Sequence, residues 1–204
     1  PSGQLELAGD ERIQEYPPGP MDGYETLIPG HGVFCVSASS ELSGFLVYTV
    51  FSDSDFWLST NVSGHGYDQT VGNNGVYIGN VTTNGVAGEW IEMKSPYKIK
   101  ISSFALGSYA DASSNRQPRN FILFGSNDGN IWNQMKSVNN LTSGYVSGGT
   151  IPHTVNSIEY YSYFRLVITA AQDSTDGIVG VTELRYFGTP GPTTLDKGSL
   201  SLTR

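Results

Sequence analysis

The chain has little cysteine, little positive charge and no long apolar run, and each shortage excludes a class of protein. Its one cysteine, Cys35, cannot form an internal disulfide, and its apolar neighbours indicate a buried small side chain. The 11 Lys and Arg stand against 19 Asp and Glu, a net charge of −8. No basic surface is therefore expected for nucleic acid or anionic membranes. No apolar run approaches the ~20 residues that span a bilayer, so membrane insertion is not expected.

Charged residues of both signs are also scarce, at 15% of the chain, and no stretch of useful length repeats apolar residues with the helical period. What is abundant is 25 Gly and 10 Pro, with 12 Tyr and 9 Phe, which is typical of many short strands joined by turns. With 38% hydrophobic residues, a chain of 204 residues can still bury one core. The composition predicts an all-β sandwich of roughly eight to ten antiparallel strands with little helix.

The strongest strand signal is Phe121–Phe124, an unbroken apolar run typical of a strand covered on both faces. The turn-forming residues 125–130 follow, and Trp132 then returns to the core. A second strand is predicted at 97–102, where apolar residues alternate with two lysines and a serine. The apolar run 45–51 fits either a strand or a short buried helix, and periodicity does not distinguish the two.

These segments predict one domain at 27–188, with 1–26 as an N-terminal linker or extension and 189–204 as a C-terminal linker. Long polar, glycine-rich loops separate the strands, and loops of this length are often functional. They cover 61–75, 107–118, 139–152 and 170–177. No signal peptide is visible, but a start at Pro1 is typical of an excised fragment, so this says nothing about export.

Four blocks of the chain resemble a discoidin-like domain, the coagulation factor five/eight type C family with its galactose-binding-like fold. The most specific block is Pro118–Trp132, which is similar to the pattern P-R-x-F-x-L-x-G-S-N-D-G-x-x-W. Residues 50–57 stand where the family has a longer segment, and Ser52 takes the place of its aspartate. The flanks are similar to those of discoidin-like domains in large viruses of algae and in marine surface proteins. The other three blocks are Gly88–Met93, Tyr97–Leu106, and Tyr163–Ile168 with Val181–Gly188.

The resemblance implies a jelly-roll sandwich whose loops at one end bind a glycan, or sometimes a phospholipid headgroup or a protein. A structural calcium ion near the loops is common in the family. Here Asp53 and Asp55 lie in the family's metal loop, and Glu183 with the carbonyl of Thr182 matches the strand position that supplies further ligands. Alternatively, the two aspartates cap a turn and Glu183 pairs with an arginine of the sheet.

A glycan site needs an aromatic face under the sugar ring and planar polar groups for its hydroxyls. Arg116 is the favoured contact, because a guanidinium donates two fixed hydrogen bonds to vicinal oxygens; the alternative is a salt bridge that stabilises its loop. Tyr67 and Tyr109 are platforms or, alternatively, loop anchors. Three tryptophans beside apolar strand residues, Trp57, Trp90 and Trp132, are assigned to core packing. The full set of ligand-binding candidates is His65, Tyr67, Asp68, Tyr109, Asn115, Arg116 and Tyr145.

Enzyme chemistry has little support in the sequence. The histidines His31, His65 and His153 are isolated and lack metal-ligand spacing. No G-x-S-x-G elbow or phosphate-binding glycine loop occurs. A pair of carboxylates brought together from separate strands is not excluded by the sequence.

The sequence therefore predicts a non-enzymatic, lectin-like carbohydrate-binding module for glycans or glycoproteins at an extracellular, cell or virion surface. Contacts from loops 61–75, 108–118 and 141–152 would be shallow, so useful strength would need other copies or neighbouring domains. One alternative is a structural or assembly module of a capsid, fibre or extracellular matrix. Another is an accessory binding domain of a glycan-active enzyme.

Overall fold

The computed structural model describes residues 6–7, 12–52, 54–70, 72, 75–108, 116–172 and 175–194, and β-structure dominates them. Within these ranges the helical structure is a single 3₁₀-helix, Val47–Phe51. The strands are β1 (Glu6–Leu7), β2 (Gln14–Tyr16), β3 (Glu25–Ile28), β4 (Gly32–Ala38), β5 (Trp57–Leu58), β6 (Thr82–Thr83), β7 (Val86–Ala87), β8 (Glu89–Gly107), β9 (Pro118–Ser126), β10 (Asn133–Val138), β11 (Thr150–Thr154), β12 (Tyr161–Ala171), β13 (Gly180–Val181), β14 (Glu183–Pro190) and β15 (Thr193–Thr194).

The 19-residue strand β8 belongs to both layers of the sandwich. Its first half pairs with β4 and β12 around Ile91–Lys94, and its second half pairs with β11 and β14 around Ser103–Gly107. One layer therefore has the order β10-β9-β12-β8-β4-β3 and the other β11-β8-β14-β2, all antiparallel. Because β8 is shared, the two layers form one continuous nine-stranded sheet. The predicted all-β jelly-roll sandwich is confirmed.

The course of β8 defines the two ends of the sandwich. Its first residue, Glu89, bonds to the loop residue His65, and its last residue, Gly107, accepts a hydrogen bond from Thr182. Both contacts lie in one cluster of loops, which we call the rim. Midway along β8, its pairing passes from one layer to the other near Tyr97. The end of the sandwich at this bend is called the base.

A β-bulge adjusts the second half of β8. The buried residues Ile99 and Ile101 are two positions apart, but the next one, Phe104, is three positions after Ile101. One residue is therefore inserted into the alternation. That residue is Ser102, where the register with β14 shifts and the Oγ donates to the carbonyl of Phe187 at 3.2 Å. A bulge of this kind bends a strand and increases its twist. It therefore keeps Phe104 facing the core.

The core between the layers is aromatic, and Phe34, Phe104, Phe164 and Tyr186 are completely buried. Rings meet at angles and at small tilts, for example Phe164 and Tyr186 with centroids 5.6 Å apart. Burying rings of this size supplies most of the driving force for packing the layers. Trp57 is also completely buried, as predicted, and its Nε1 donates to a backbone carbonyl at 2.9 Å.

The other two tryptophans pack on a separate cluster outside the main core. The guanidinium carbon of Arg165 lies 4.0 Å from the ring centroid of Trp90 and 4.2 Å from that of Trp132. The carboxylate of Glu92 accepts hydrogen bonds from Arg165, from Nη2 at 2.6 Å and from Nε at 2.9 Å. Trp132 is 6% exposed and Trp90 is half-buried. Trp90 therefore stacks on a cation at the outer face of the sheet, where core packing was expected.

The predicted domain boundaries are too narrow. The segment assigned to an N-terminal linker contains β2, which pairs with β14 by placing Tyr16 opposite Tyr186. Tyr16 is completely buried and Met21 is 2% exposed, so this segment is part of the sandwich. At the other end, β14 continues past 188 to Pro190. With three residues, β2 is too short to show alternation in the sequence. Its pairing with β14 and the burial of the Tyr16 ring become visible only in the fold.

The ambiguous run 45–51 forms the 3₁₀-helix, with Val47 and Val50 completely buried. Val76 and Tyr77 form isolated bridges, with Ala170 and Tyr67 respectively. None of the helical structure in the described ranges is long and apolar enough to cross a membrane.

His153 on β11 gives the fold an acid sensitivity. The imidazole is 8% exposed and lies 4.9 Å from the ring of Phe104 and 5.2 Å from that of Phe121. Burial, helped by the positive charge of Lys136, lowers the pKa of His153 from 6.5 to about 4. In the unfolded chain the imidazole of His153 therefore gains a proton as the pH falls through 6.5, whereas in the folded chain it stays neutral until about pH 4.

Above pH 6.5 we expect His153 to leave the free energy of unfolding unchanged. Between pH 6.5 and pH 4 that free energy should fall by roughly 2–3 kcal/mol through this residue alone. Urea denaturation at pH 7 and pH 4.5 of wild type and His153→Leu measures it. The variant should lose much less stability between the two pH values. An identical pH dependence in both proteins would contradict the assignment.

Candidate functional site

Backbone hydrogen bonds hold the loops of the rim against one another. The segment 175–182 is central, since the carbonyl of Gly177 accepts from Tyr67 at 3.0 Å and the N–H of Gly180 donates to Arg116 at 2.9 Å. Three loops that are distant in sequence are thereby fixed in one surface. The rim is thus a built structure, able to present side chains in fixed positions.

A fourth loop, 139–149, joins the same surface through side-chain and backbone contacts. The N–H of Leu141 donates to Arg119 at 3.0 Å, and the amide of Gln172 donates to the carbonyl of Leu141 at 2.8 Å. Tyr145 is half-buried, and its hydroxyl donates to the carbonyl of Pro118 at 2.9 Å. Burial raises the pKa of Tyr145, so the hydroxyl stays protonated. Tyr145 is thus an anchor that holds its loop to β9.

Arg116 lies in the middle of the rim and is held by Asp176. Its Nε donates to Oδ2 at 2.8 Å, and its Nη2 donates to the same oxygen. Asn61 reaches the same residue, with Nδ2 donating to the carbonyl of Asp176 at 2.7 Å. The side chains of Arg116 and Asp176 are 26% and 32% exposed. The salt bridge that was the alternative for Arg116 is present, and it fixes a guanidinium that solvent still reaches.

His65 is held by a buried carboxylate. Its Nδ1 lies 2.8 Å from Oε1 of Glu89, which has no exposed surface. The hydroxyls of Ser39 and Ser40 donate to the other oxygen at 2.5 and 2.7 Å. The sequence reasoning missed Glu89, although a charged residue beside the apolar Trp90 was a usable signal. This group ties the loop that begins at 61 to the start of β8.

Tyr67 is not a ligand contact, contrary to the prediction. Its side chain is 1% exposed, and its hydroxyl donates to the carbonyl of Ile168 at 2.9 Å. Its ring packs edge-on against Tyr77 at 5.3 Å, and burial raises the pKa of its hydroxyl. The anchor alternative is therefore correct. The neighbouring Asp68 is half-buried, and its carboxylate accepts from the N–H of Thr70 at 2.8 Å, which stabilises a turn.

The described part of the rim exposes aliphatic side chains more than aromatic faces. Tyr109 and Asn115 lie outside the described residues. Beside the rim, next to β5, Phe45 and Phe56 stack with centroids 4.9 Å apart and are half-buried, a pair of rings that the sequence analysis did not single out. The exposed aliphatic residues in and around the loops are Val62, Val76, Ile78 and Val146.

Those predicted calcium ligands that the structure describes do not form a cluster that could hold the ion. Glu183 accepts from the guanidinium of Arg185 on the same strand, which was the alternative considered for it. Asp55 is exposed and accepts from the N–H of the next residue at 2.9 Å, while the N–H of Thr182 donates to Gly107. Asp53 lies outside the described residues. Within the described ranges no group of three or more His, Cys, Asp and Glu side chains could hold a metal, so the described residues do not fit calcium without Asp53.

The three histidines lie in three different environments. His31 bonds to Tyr97 at 3.0 Å near the base, His65 bonds to Glu89 at the rim, and His153 packs in the core. They therefore do not act together on one substrate.

Comparison with known proteins identifies the fold. No family model and no curated protein sequence matches the chain. Among solved structures, a family 32 carbohydrate-binding module of Clostridium perfringens NanJ with galactose matches with a TM-score of 0.52 and 11% identity, over 76% of this chain and 93% of the module. A family 32 module from the same organism with GalNAc-β-1,3-galactose matches with a TM-score of 0.52 and 16% identity, over 75% of this chain and 94% of the module. A family 89 glycoside hydrolase of Clostridium perfringens matches with a TM-score of 0.52 and 18% identity, over 82% of this chain and 15% of the hydrolase.

These likenesses, at such low identity, are likenesses of fold. They confirm the jelly-roll sandwich that the discoidin-like segments implied. The chain has the fold of family 32 carbohydrate-binding modules.

Removing the buried carboxylate should loosen the rim. We expect Glu89→Ala to lower the free energy of unfolding by about 3 kcal/mol, because it leaves two half-buried hydroxyls and an imidazole without their acceptor. Glu89→Gln, which keeps one acceptor oxygen, should lose about half as much. Urea denaturation gives the loss, and hydrogen exchange should rise first in residues 61–70. Wild-type stability in Glu89→Ala would contradict this role.

Proposed function

We propose that this chain is a non-enzymatic carbohydrate-binding module whose rim holds neutral glycans. The observation that carries the proposal is the partly exposed guanidinium of Arg116, fixed by Asp176 where loops from distant parts of the chain meet. Galactose and GalNAc-β-1,3-galactose are the ligands in two of the similar structures, which supports neutral sugars as the class.

Arg116 would act as a fixed donor. Asp176 engages its Nε and Nη2, and within the described residues the Nη1 group makes no hydrogen bond. Nη1 can therefore donate to a sugar hydroxyl without breaking the ion pair. Asn61, held through its Nδ2, presents its carbonyl oxygen as an acceptor. His65 would add the exposed edge of its imidazole, at 20% exposure.

The site would bind weakly and hold sugars without cleaving them. The described part of the rim offers a sugar three candidate contacts, the guanidinium of Arg116, the carbonyl oxygen of Asn61 and the imidazole of His65. Millimolar affinity corresponds to about 4 kcal/mol, which a handful of hydrogen bonds and one apolar contact can provide. Attachment to an extracellular, cell or virion surface would then depend on several copies acting together.

An assembly role is the second candidate. On the edge strand β3, Leu27 is 70% exposed and lies directly opposite Val33, which is 43% exposed. Adjacent apolar side chains at a free sheet edge favour contact with another protein. The role of an accessory domain in a glycan-active enzyme is supported by the match to part of the family 89 hydrolase.

A glycan array of neutral oligosaccharides tests the proposed function. We expect Arg116→Ala to weaken binding at least tenfold, since one good hydrogen bond to a charged donor contributes about 1.5–3 kcal/mol. Asp176→Asn should weaken binding less, because it loosens the guanidinium without removing it. Lys136→Ala, a cation on β10 away from the rim, is the matched control and should bind as wild type.

Binding of all four proteins to no glycan at high surface density would contradict the proposal. If the protein then self-associated in ultracentrifugation and Leu27→Lys abolished that association, the assembly role would replace it. Equal binding by wild type and Arg116→Ala would move the site away from Arg116.

Calcium is carried forward as a proposal that depends on Asp53. A structural ion held by Asp53, Asp55, Glu183 and the carbonyl of Thr182 would stabilise the folded chain by an amount that grows with the logarithm of the free calcium concentration above the dissociation constant. We expect the melting midpoint to fall by several degrees when calcium is replaced by a chelator. Asp53→Asn should remove the difference. An unchanged midpoint of the wild type would end the calcium proposal.

A further inference from the structure

The base of the sandwich carries a cleft of about 830 Å³, which the proposed function does not use. Its walls come from the β3–β4 turn, the bend of β8, the turn after β9, the approach to β12 and the end of β14. The volume lies in the usual range for ligand sites. The residues that matter here are His31, Tyr97, Lys98, Asn127, Glu159 and Tyr160. We call it the base cleft.

Hydrogen bonds between its walls hold the base cleft open. The hydroxyl of Tyr97 lies 3.0 Å from Nδ1 of His31, and the N–H of Gly191 donates to the carbonyl of Lys98 at 2.7 Å. The amide of Asn127 donates to the carbonyl of Tyr160 at 3.0 Å. Each contact joins two elements that are separate in sequence. A ligand would therefore meet a preformed surface and lose little free energy in ordering it.

Two half-buried tyrosine rings line the base cleft, Tyr97 and Tyr160. The ring of Tyr97 is supported edge-on by Phe34 at 6.0 Å. Tyr160 is flanked by Gly191, where an added methyl carbon would lie 3.3 Å from the ring. Rings held in this way offer flat apolar faces of the kind that pack on sugar rings.

Three lysines lie along the part of β8 that passes the base cleft, in a protein of net charge −8, and one of them, Lys98, lines the cleft together with Glu159. Lys94, Lys98 and Lys100 alternate along the outer side of the β8 bend, so that three of the chain's 11 basic residues fall within seven positions. We call them the lysine row. The ammonium groups of Lys94 and Lys100 lie 5.4 Å from the ring centroids of Tyr163 and Tyr160.

Like Arg119 and Lys136, the lysines of the row form no salt bridge with any carboxylate among the described residues. Arg116, Arg165 and Arg185 each form a salt bridge with a carboxylate. Among the residues that the structure describes, no carboxylate lies within 4.0 Å of any ammonium group of the row, although Glu159 lines the base cleft. Lys98 lines the cleft and Lys100 lies over the ring of Tyr160, so these two ammonium groups are the ones an anion in the cleft could meet.

We propose that the base cleft is a second binding site and that it takes an acidic saccharide, such as a uronate oligomer. Its carboxylate meets Lys98, its sugar ring packs on Tyr160 beside the ammonium group of Lys100, and Asn127 bonds to its hydroxyls. Nine residues of β8 separate Lys98 from Gly107 at the rim, a distance of roughly 30 Å along the strand. One domain therefore binds two carbohydrate chains at opposite ends.

The observations favour a saccharide over a bare phosphate or a lipid headgroup. A small inorganic anion would use the ammonium groups but would leave the two ring faces and the amide without a contact. A membrane surface is flat and would not enter a cleft bounded by turns on several sides. A sugar with a carboxylate satisfies the cations, the rings and the amide at once.

The experiment is an amide NMR titration of the full chain with trigalacturonate, and in parallel with neutral galactotriose. We expect trigalacturonate to shift the signals of Lys98, Asn127, Tyr160 and Gly191 in a saturable way while that of Arg116 stays in place. Lys98→Ala should weaken the binding about tenfold, and raising the salt concentration should weaken it further. Lys136→Ala is the matched control and should bind as wild type.

Three results would overturn the proposal. They are no shifts at the base with trigalacturonate, equal shifts with the neutral sugar together with an unaffected Lys98→Ala, and equal shifts with inorganic phosphate or vesicles of anionic phospholipid. The glycan array tests the rim through Arg116, and the NMR titration tests the base cleft through Lys98. Either proposal can therefore be contradicted without affecting the other. Tyr160→Leu, which fills the space without a ring, should weaken trigalacturonate binding as well.

Discussion

The whole architecture depends on one strand having partners on both edges in each of its two halves. β8 is bonded to β4 and β12 in one layer and to β11 and β14 in the other, so neither layer can form its register without it. The bulge at Ser102 keeps its apolar side chains facing the core after the bend. Because both ends of β8 arrive at the rim, one element also sets the spacing of the loops there. A shift in its register would displace both faces of the core together.

The same strand explains why binding surfaces can exist at two ends without interfering. At the rim, polar contacts such as Arg116 with Asp176 join loops and leave donors partly exposed. At the base, the bend turns Lys98 outward and brings Tyr97 against His31. Between them lies a close-packed aromatic core. Each surface is therefore specified by its own short-range contacts, while the core fixes only the distance between them.

The sequence was informative where the chain's own periodicity decides structure, and less so where distant contacts decide it. The apolar run 121–124 and the alternation at 97–102 lie in β9 and β8. Tyr67 looked like an exposed loop residue because its neighbours are polar and glycine-rich, yet a partner 101 positions away, Ile168, accepts its hydroxyl bond in the interior. The burial of Glu89 and Tyr16 was missed for the same reason, because it depends on partners from other parts of the chain. Asp176 was read only as loop sequence, although the Asp-Gly pair at 176–177 marks a turn.

The way the chain enters and leaves the sandwich gives the domain a direction. β2 enters beside β14 with Gln14 opposite Gly188, and β14 runs from the rim at Glu183 to the base at Pro190. Both covalent attachment points therefore sit on the side of the bend in β8. The strands through which the described chain enters and leaves the sandwich therefore both have their outer ends at the base, so neither covers the rim at the opposite end.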